Sequence, residues 1–180
     1  IYKPVESLRL GFAFHSPTFY RIDEYISDNI SSYFDNLASP IQESYEPYRF
    51  NYALSTPFRI IGGAAFQLKK FALFRADYEF IDYSTAKFSE TGDDYDYTDK
   101  NHEIRNSLQP VTNLRLGAEF RLSNIYLRGG YGFYGRPWAD GELNDDQSWN
   151  SVSFGLGFRE KNIFPDLGFS RMTNYEHNIL

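Results

Sequence analysis

Residues 113–134 alternate in side-chain type at every second position, and this constrains the fold more than any other feature of the 180-residue chain. Leu114, Leu116, Ala118, Phe120 and Leu122 fall on one side; Asn113, Arg115, Gly117, Glu119 and Arg121 fall on the other. After a short turn at 123–125 the alternation resumes, with Leu127, Gly129, Tyr131 and Phe133 against Arg128, Gly130 and Gly132. Strict period two marks a strand lying between two different environments. A soluble sandwich would carry Lys, Thr and Ser on its wet face. Here that face carries Arg, Glu and Gly, while the apolar face carries aromatics towards its ends. The combination suits lipid on one side and a polar lumen on the other.

The same pattern recurs along the chain. It predicts strands over residues 5–14, 58–68, 72–84, 149–159 and 166–175. Residues 49–54 lead into Thr56-Pro57, and Pro57 is expected to mark the membrane boundary of one long strand, since proline belongs at strand starts and bulges. Within residues 15–48, Phe19, Ile22, Tyr25 and Ile26 have helical spacing, and Ser16-Pro17 suits the opening of a short helix.

Connections alternate in length. Short turns fall at 69–71, 123–125 and 160–165, and long polar segments at 15–48, 85–110 and 135–148. Short periplasmic turns and long extracellular loops are the asymmetry of an outer-membrane barrel; a soluble meander gives no reason for it. No run of about 18 apolar residues is present, so there is no membrane-spanning helix, and a barrel needs none. With 15 Tyr and 17 Phe, aromatic content is 19%, which favours strands and interfacial girdles. There is no cysteine, which excludes disulfides and thiolate metal sites. The net charge of -6 is a poor match to nucleic acid. The expected fold is therefore all-β, an antiparallel up-and-down transmembrane β-barrel in the bacterial outer membrane, surrounded by lipid and lipopolysaccharide. Seven strands leave an open edge that lipid does not tolerate, so residues 1–180 are read as a single segment of a larger barrel.

Several stretches resemble the FadL/TodX family of outer-membrane transporters for long-chain fatty acids and hydrocarbons, in the Bacteroidetes version often labelled hemin receptor. They are Leu8-Arg9-Leu10-Gly11-Phe12-Ala13-Phe14-His15-Ser16-Pro17, Tyr52-Ala53-Leu54-Ser55-Thr56-Pro57-Phe58-Arg59, Asp77-Tyr78-Glu79-Phe80-Ile81-Asp82-Tyr83-Ser84, Leu127-Arg128-Gly129-Gly130-Tyr131 and Phe154-Gly155-Leu156-Gly157-Phe158-Arg159. The resemblance implies about seven strands of a barrel of about 14, from the C-terminal half, without the family's N-terminal hatch, its Asn-Pro-Ala motif or a final strand. It implies passive uptake of a hydrophobic small molecule, with no cofactor. It transfers no gating residue, because the family's gating lies in parts not matched here. Some Bacteroidetes relatives instead serve as accessory shuttles for secretion, binding a protein partner through their extracellular loops; this is the alternative.

Candidate residues follow from the pattern. Arg9, Arg59, Arg75, Asp77, Glu79, Arg115, Glu119, Arg121, Arg128 and Arg159 fall on the expected lumen face, as an ion-pair network or as contacts for a substrate carboxylate. Phe19, Tyr20, Ile22, Tyr25, Ile26 and Phe34 make the first long loop amphipathic, as packing on the rim or as an entry site for a poorly soluble ligand. Asp93, Asp94, Asp96 and Asp99 lack the offsets of a calcium loop and read as a solvated acidic loop. A haem would want an axial His or Tyr, and no residue is singled out. No nucleophile motif is present, so the chain is read as a non-enzyme without metal.

Overall fold

The computed structural model describes residues 1–35, 39–92, 95–143 and 145–174. Asp93, Asp94 and Tyr175, the last residue of the final expected strand, lie outside these. The chain opens with β1 (Tyr2–Val5) and β2 (Leu8–His15). A first excursion contains β3 (Phe19–Ile26), β4 (Asn29–Ser32), β5 (Ile41–Ser44) and β6 (Tyr48–Ser55). The hairpin β7 (Arg59–Leu68) and β8 (Ala72–Asp82) follows. A second excursion holds a 3-10 turn (Tyr83–Thr85), β9 (Lys87–Glu90) and helix α1 (Thr98–Ser107). The hairpin β10 (Pro110–Leu122) and β11 (Ile125–Tyr134) comes next, then β12 (Trp149–Phe158) and β13 (Asp166–Thr173).

An eight-stranded antiparallel sheet, the wall, has the order β1-β2-β7-β8-β10-β11-β12-β13. Its seven longer strands are those expected; β1 is an addition. Residues 5–14 are not one strand, because the chain reverses at Glu6-Ser7 and pairs Tyr2 with Leu10. The register fixes the faces. Glu119 lies opposite Arg128, Arg115 opposite Gly132 on one side and Asp77 on the other, and Asn113 opposite Glu79. Leu116 lies opposite Tyr131 and Ala76, and Phe120 opposite Leu127 and Ala72. Both partitions run through β2, where Arg9 pairs with Ala65 and Leu8 with Phe66, and through β12, where Arg128 pairs with Gly155 and Leu127 with Leu156. One face is thus polar and the other apolar across the wall. The β10–β11 hairpin closes through Ser123-Asn124, with Ser123 at φ 55°, the left-handed conformation that tight hairpins use.

Above the wall, β3, β6 and β9 form a second, outer sheet, and β4 pairs with β5. This corrects the expected helix at 16–26. Phe19 to Ile26 pair residue for residue with Ser55 to Tyr48. Helical spacing of four apolar residues yields to a ladder that supplies every backbone partner, in a segment rich in Tyr, Ile and Phe.

The β3–β6 ribbon continues the β2–β7 register, with a break between. His15 lies opposite Arg59 and Phe19 opposite Ser55, so Pro17 stands directly across from Pro57. In the wall, odd-numbered residues of β7 bond to β2, as when Gln67 N–H donates to Ser7 O at 2.7 Å. Continued upward, that phase makes 17 and 57 a hydrogen-bonded rung, and neither proline has an N–H to give. Beyond it the phase has moved by one residue: Thr56 N–H donates to Thr18 O at 2.9 Å, and Thr18 N–H to Thr56 Oγ1 at 2.9 Å. The third strand breaks at the same level, at the 3-10 turn between β8 and β9, where Asp82 Oδ1 accepts from Ser84 N–H at 3.2 Å and Ser84 Oγ–H at 2.6 Å. Pro57 therefore does not sit within one long strand. It ends one sheet and begins another.

A change of phase by one residue exchanges the two faces of a strand. Even-numbered side chains, on the apolar face along β2 and β7, lie on the polar-face side along β3 and β6.

The partition of the wall has a measurable cost. Leu116→Arg should destabilise the protein by roughly 2–4 kcal/mol near mid-depth. The neighbouring Gly117→Ser, on the polar face, should change stability little. Denaturant unfolding in lipid vesicles reads both.

Candidate ligand site above and inside the wall

The outer sheet has one aromatic face. Tyr20 and Ile22 of β3, Phe50, Tyr52 and Leu54 of β6, and Phe88 of β9 share it by register. The other face carries Arg21, Asp23 and Arg49, with an exposed Asp23–Arg49 ion pair at 3.5 Å that contributes little.

The aromatic face is completed from the second excursion. β9 is an edge strand, and both backbone polar groups of Phe88 meet the Asn101 side chain: Phe88 N–H donates to Oδ1 at 2.8 Å, and Nδ2–H donates to Phe88 O at 2.9 Å. The Asn101 amide acts as one rung of a missing neighbouring strand, and only 7% of the residue is exposed. It ties α1 to the sheet. The residues just before α1 then lie on the aromatic face: Tyr97 stacks on Phe88 with centroids 5.7 Å apart, and Tyr95 meets Tyr97 edge-on at 4.8 Å. Asp96, between them, accepts from the Thr98 hydroxyl and from Thr98 N–H, the latter at 2.8 Å, and these two bonds hold its carboxyl below the usual range. Tyr52 lies 5.6 Å from Phe88 and donates its hydroxyl to Glu24 at 2.8 Å; that bond pushes the phenol above its ordinary value.

These side chains line a cavity of about 360 Å³ bounded by Phe50, Tyr52, Phe88, Tyr95 and Tyr97, with Glu24 and Lys100 at its polar edge. A second cavity of about 330 Å³ shares Phe88 and Lys100 with it and reaches Leu108 and Trp138. A third, of about 510 Å³, shares Trp138 with the second and is lined by Tyr83, Val111, Tyr134, Trp149 and Met172. The last four lie on the polar face of the wall by register. Both tryptophans of the chain are there. Through these shared residues the three cavities are successive neighbours, from the outer sheet onto the upper polar face. Trp138 and Phe88 reaching the same space agrees with the exchange of faces at the prolines.

Asn113 also lines the third cavity, and beneath it lies a charged cluster. Glu79 is only 4% exposed and takes three donors at 3.2 Å each, from Arg59, Arg115 and Asn113. A carboxylate this buried needs such partners. Near the short turns a second cluster forms. Glu119 pairs with Arg121 and Arg128, each at 2.6 Å; Asp166 pairs with Arg128 at 2.6 Å and Arg159 at 2.5 Å. The three guanidiniums lie 5.8, 5.7 and 5.3 Å from the Tyr126 ring. Arg75 pairs with Asp77 at 2.5 Å. Among the described residues Arg9 has no ion-pair partner. On the apolar face a shallow depression floored by Ala64, Ala76, Ala118 and Gly129 faces away from these groups.

The ten charged residues read from the sequence therefore all fall on the polar side, nine of them in ion pairs. The six apolar loop residues are divided. Tyr20, Ile22 and Ile26 lie on the aromatic face, Phe19 and Tyr25 on the opposite one, and Phe34 lies beyond β4; none lines the 360 Å³ cavity. The residues that do line it were not singled out. Alternation at Tyr48, Phe50, Tyr52 and Leu54 was a visible signal for β6, but the approach of Phe88, Tyr95 and Tyr97 was not. Among the described residues no cluster of His, Asp and Glu is placed to hold a metal.

Two outcomes are expected. Asn101→Ala should cost about 1–3 kcal/mol by stranding the backbone groups of Phe88, and hydrogen exchange at the Phe88 amide should accelerate while wall amides stay protected. A carboxyl held below its unfolded value contributes stability above the ordinary carboxylate range and loses it as pH falls through the lowered value. Acid should thus loosen the Asp96–Thr98 turn as pH falls below the ordinary carboxylate range, and Asp96→Asn should remove that pH dependence from the Thr98 amide.

No protein-family model matches the chain, and no curated protein sequence matches it. Solved structures do. A structure described as the CymD monoaromatic hydrocarbon channel aligns over 97% of this chain and 44% of its own, with a TM-score of 0.57 at 14% identity. A FadL homologue of Pseudomonas aeruginosa aligns over 97% of this chain and 42% of its own, with a TM-score of 0.60 at 13% identity. The chain spans less than half the length of either. Its fold is that of one segment of an outer-membrane β-barrel of the FadL type.

Proposed function

We propose that the chain forms part of the wall and outer loops of an outer-membrane barrel that passes hydrophobic small molecules inward by diffusion, without a cofactor and without chemistry on the cargo. The run of aromatic cavities from the outer sheet to the upper polar face carries this reading. Each is within or near the size range of small-molecule sites; the outer and inner ones have mainly aromatic and apolar walls, and the middle one sets Phe88, Ile104, Leu108 and Trp138 against Lys100, Glu103 and Glu142. A poorly soluble molecule gains most by leaving water at the outer cavity, and a graded series of weak apolar sites lets it move on. The polar face is then the lumen. Arg9, Arg59, Arg75, Asp77, Glu79, Arg115, Glu119, Arg121, Arg128 and Arg159 line it, and the pairing of nine of them keeps it from holding a passing anion tightly. Lipid and lipopolysaccharide cover the apolar face. The two solved neighbours support the general kind of cargo, one being described as a hydrocarbon channel.

A protein partner at the outer loops is the competing reading. It would use the exposed Tyr33, Phe34 and Ile41 around the β4–β5 hairpin rather than the cavities.

Uptake of a radiolabelled monoaromatic hydrocarbon and of a long-chain fatty acid by cells carrying the full-length protein tests the proposal. Removing both Tyr52 and Phe88 side chains (Tyr52→Ala with Phe88→Ala) should lower uptake of at least one probe about tenfold, since each aromatic contact is worth roughly 0.5–1.5 kcal/mol. Uptake no greater than in cells lacking the protein would overturn it.

A further inference from the structure

We infer that Trp138 is a size-selecting partition between the middle and inner cavities. The inference rests on the transport reading and adds a residue that sets which cargo passes. Among the described residues Trp138 alone lines both the 330 Å³ and the 510 Å³ cavities, so a molecule moving from one to the other passes it. The walls on its two sides differ. The middle cavity is bounded by the α1 face, with Ile104 and Leu108 beside Lys100 and Glu103, an ion pair at 3.1 Å. The inner cavity is bounded by Trp149, Tyr134, Tyr83 and Met172.

Trp138 is held, not hung on a free loop. The 3-residue stretch after Arg136 runs antiparallel to the end of α1. Leu108 and Trp138 form a bridge, Gln109 N–H donates to Pro137 O at 2.9 Å, and Ala139 N–H donates to Ser107 O at 2.9 Å. The Gln109 side chain donates to Trp138 O at 2.7 Å and to Arg136 O at 3.4 Å. Arg136 pairs in turn with Asp140. Bonds on both sides of the residue fix its backbone, and the ring of Pro137 fixes the φ of the residue just before it. A backbone anchored in this way keeps the indole at one place along the passage, where its bulk discriminates by the width of the cargo. A swinging lid would discriminate by time, not width. Tryptophan is the bulkiest side chain available, and one removed ring opens space that smaller substitutes leave graded.

Uptake by cells carrying the full-length protein, with toluene, naphthalene and phenanthrene as radiolabelled probes, tests the inference. In Trp138→Ala the ratio of phenanthrene to toluene uptake should rise about tenfold, the scale at which apolar pockets discriminate by size. Trp138→Phe should give an intermediate rise. An unchanged ratio in both variants, with toluene uptake intact, overturns the partition alone. If Trp138→Ala does not assemble, an unchanged ratio in Trp138→Phe overturns it. No uptake of any probe by the parent overturns the transport reading and the partition with it.

Discussion

Everything in this fold depends on keeping charge off one face of a sheet. In lipid an Arg at mid-depth costs a few kcal/mol, and an unpaired backbone group costs a comparable amount. The wall meets both demands with one device, a register without slips from β2 to β13. A slip of one residue on β10 would move Arg115, Glu119 and Arg121 together into the apolar layer. The register also assembles the polar face. Glu79 reaches Arg59 and Arg115 only because β7, β8 and β10 are adjacent, and Asp166 reaches Arg128 only across β12.

The same device, broken once, builds the candidate site. Pro17 and Pro57 occupy a rung that needs two N–H donors and has none. The ladder resumes one residue out of phase. Alternation that presents Phe12, Phe14 and Ile60 on the apolar face below therefore presents Tyr20, Ile22, Tyr52 and Phe50 on the opposite side above. A continuous strand would have placed those aromatics outward, above the lipid and away from the polar face. The 3-10 turn at Tyr83–Thr85 lets the third strand follow, and Asn101 closes the edge this leaves. Fold and function meet at this crease: the wall is specified by unbroken phase, and the cavity run by its interruption.

What the sequence reveals depends on how local the interaction is. The faces of the wall are legible because period two is written into neighbouring residues: Arg115 and Glu119 against Leu116 and Phe120 needs no partner strand to read. The alternation of turn lengths is equally local. Residues 19–26 show the limit. Phe19, Ile22, Tyr25 and Ile26 fit a helix and a strand alike, and the decision is made by β6, some thirty residues on. Both prolines are plain in the sequence, but their opposition is a fact of register, and the exchange of faces follows only from it. Tyr95, Tyr97 and Trp138 sit in polar loops where no period exists. Their meeting with Phe88 and Trp149 depends on Asn101 and Gln109, whose side chains replace backbone partners and leave no trace in the pattern.

The two-faced wall is most directly tested by cysteine scanning, to which residues 1–180 contribute no native thiol; labelling of the parent protein supplies the background to subtract. Single cysteines along residues 113–122 of the full-length protein in its native outer membrane would be exposed to a small, charged, membrane-impermeant thiol reagent. Labelling should alternate, with 113, 115, 117, 119 and 121 modified and 114, 116, 118, 120 and 122 protected. Equal labelling of both sets, or protection of the first set and labelling of the second, would contradict a wall with lipid on its apolar face and water on its polar one.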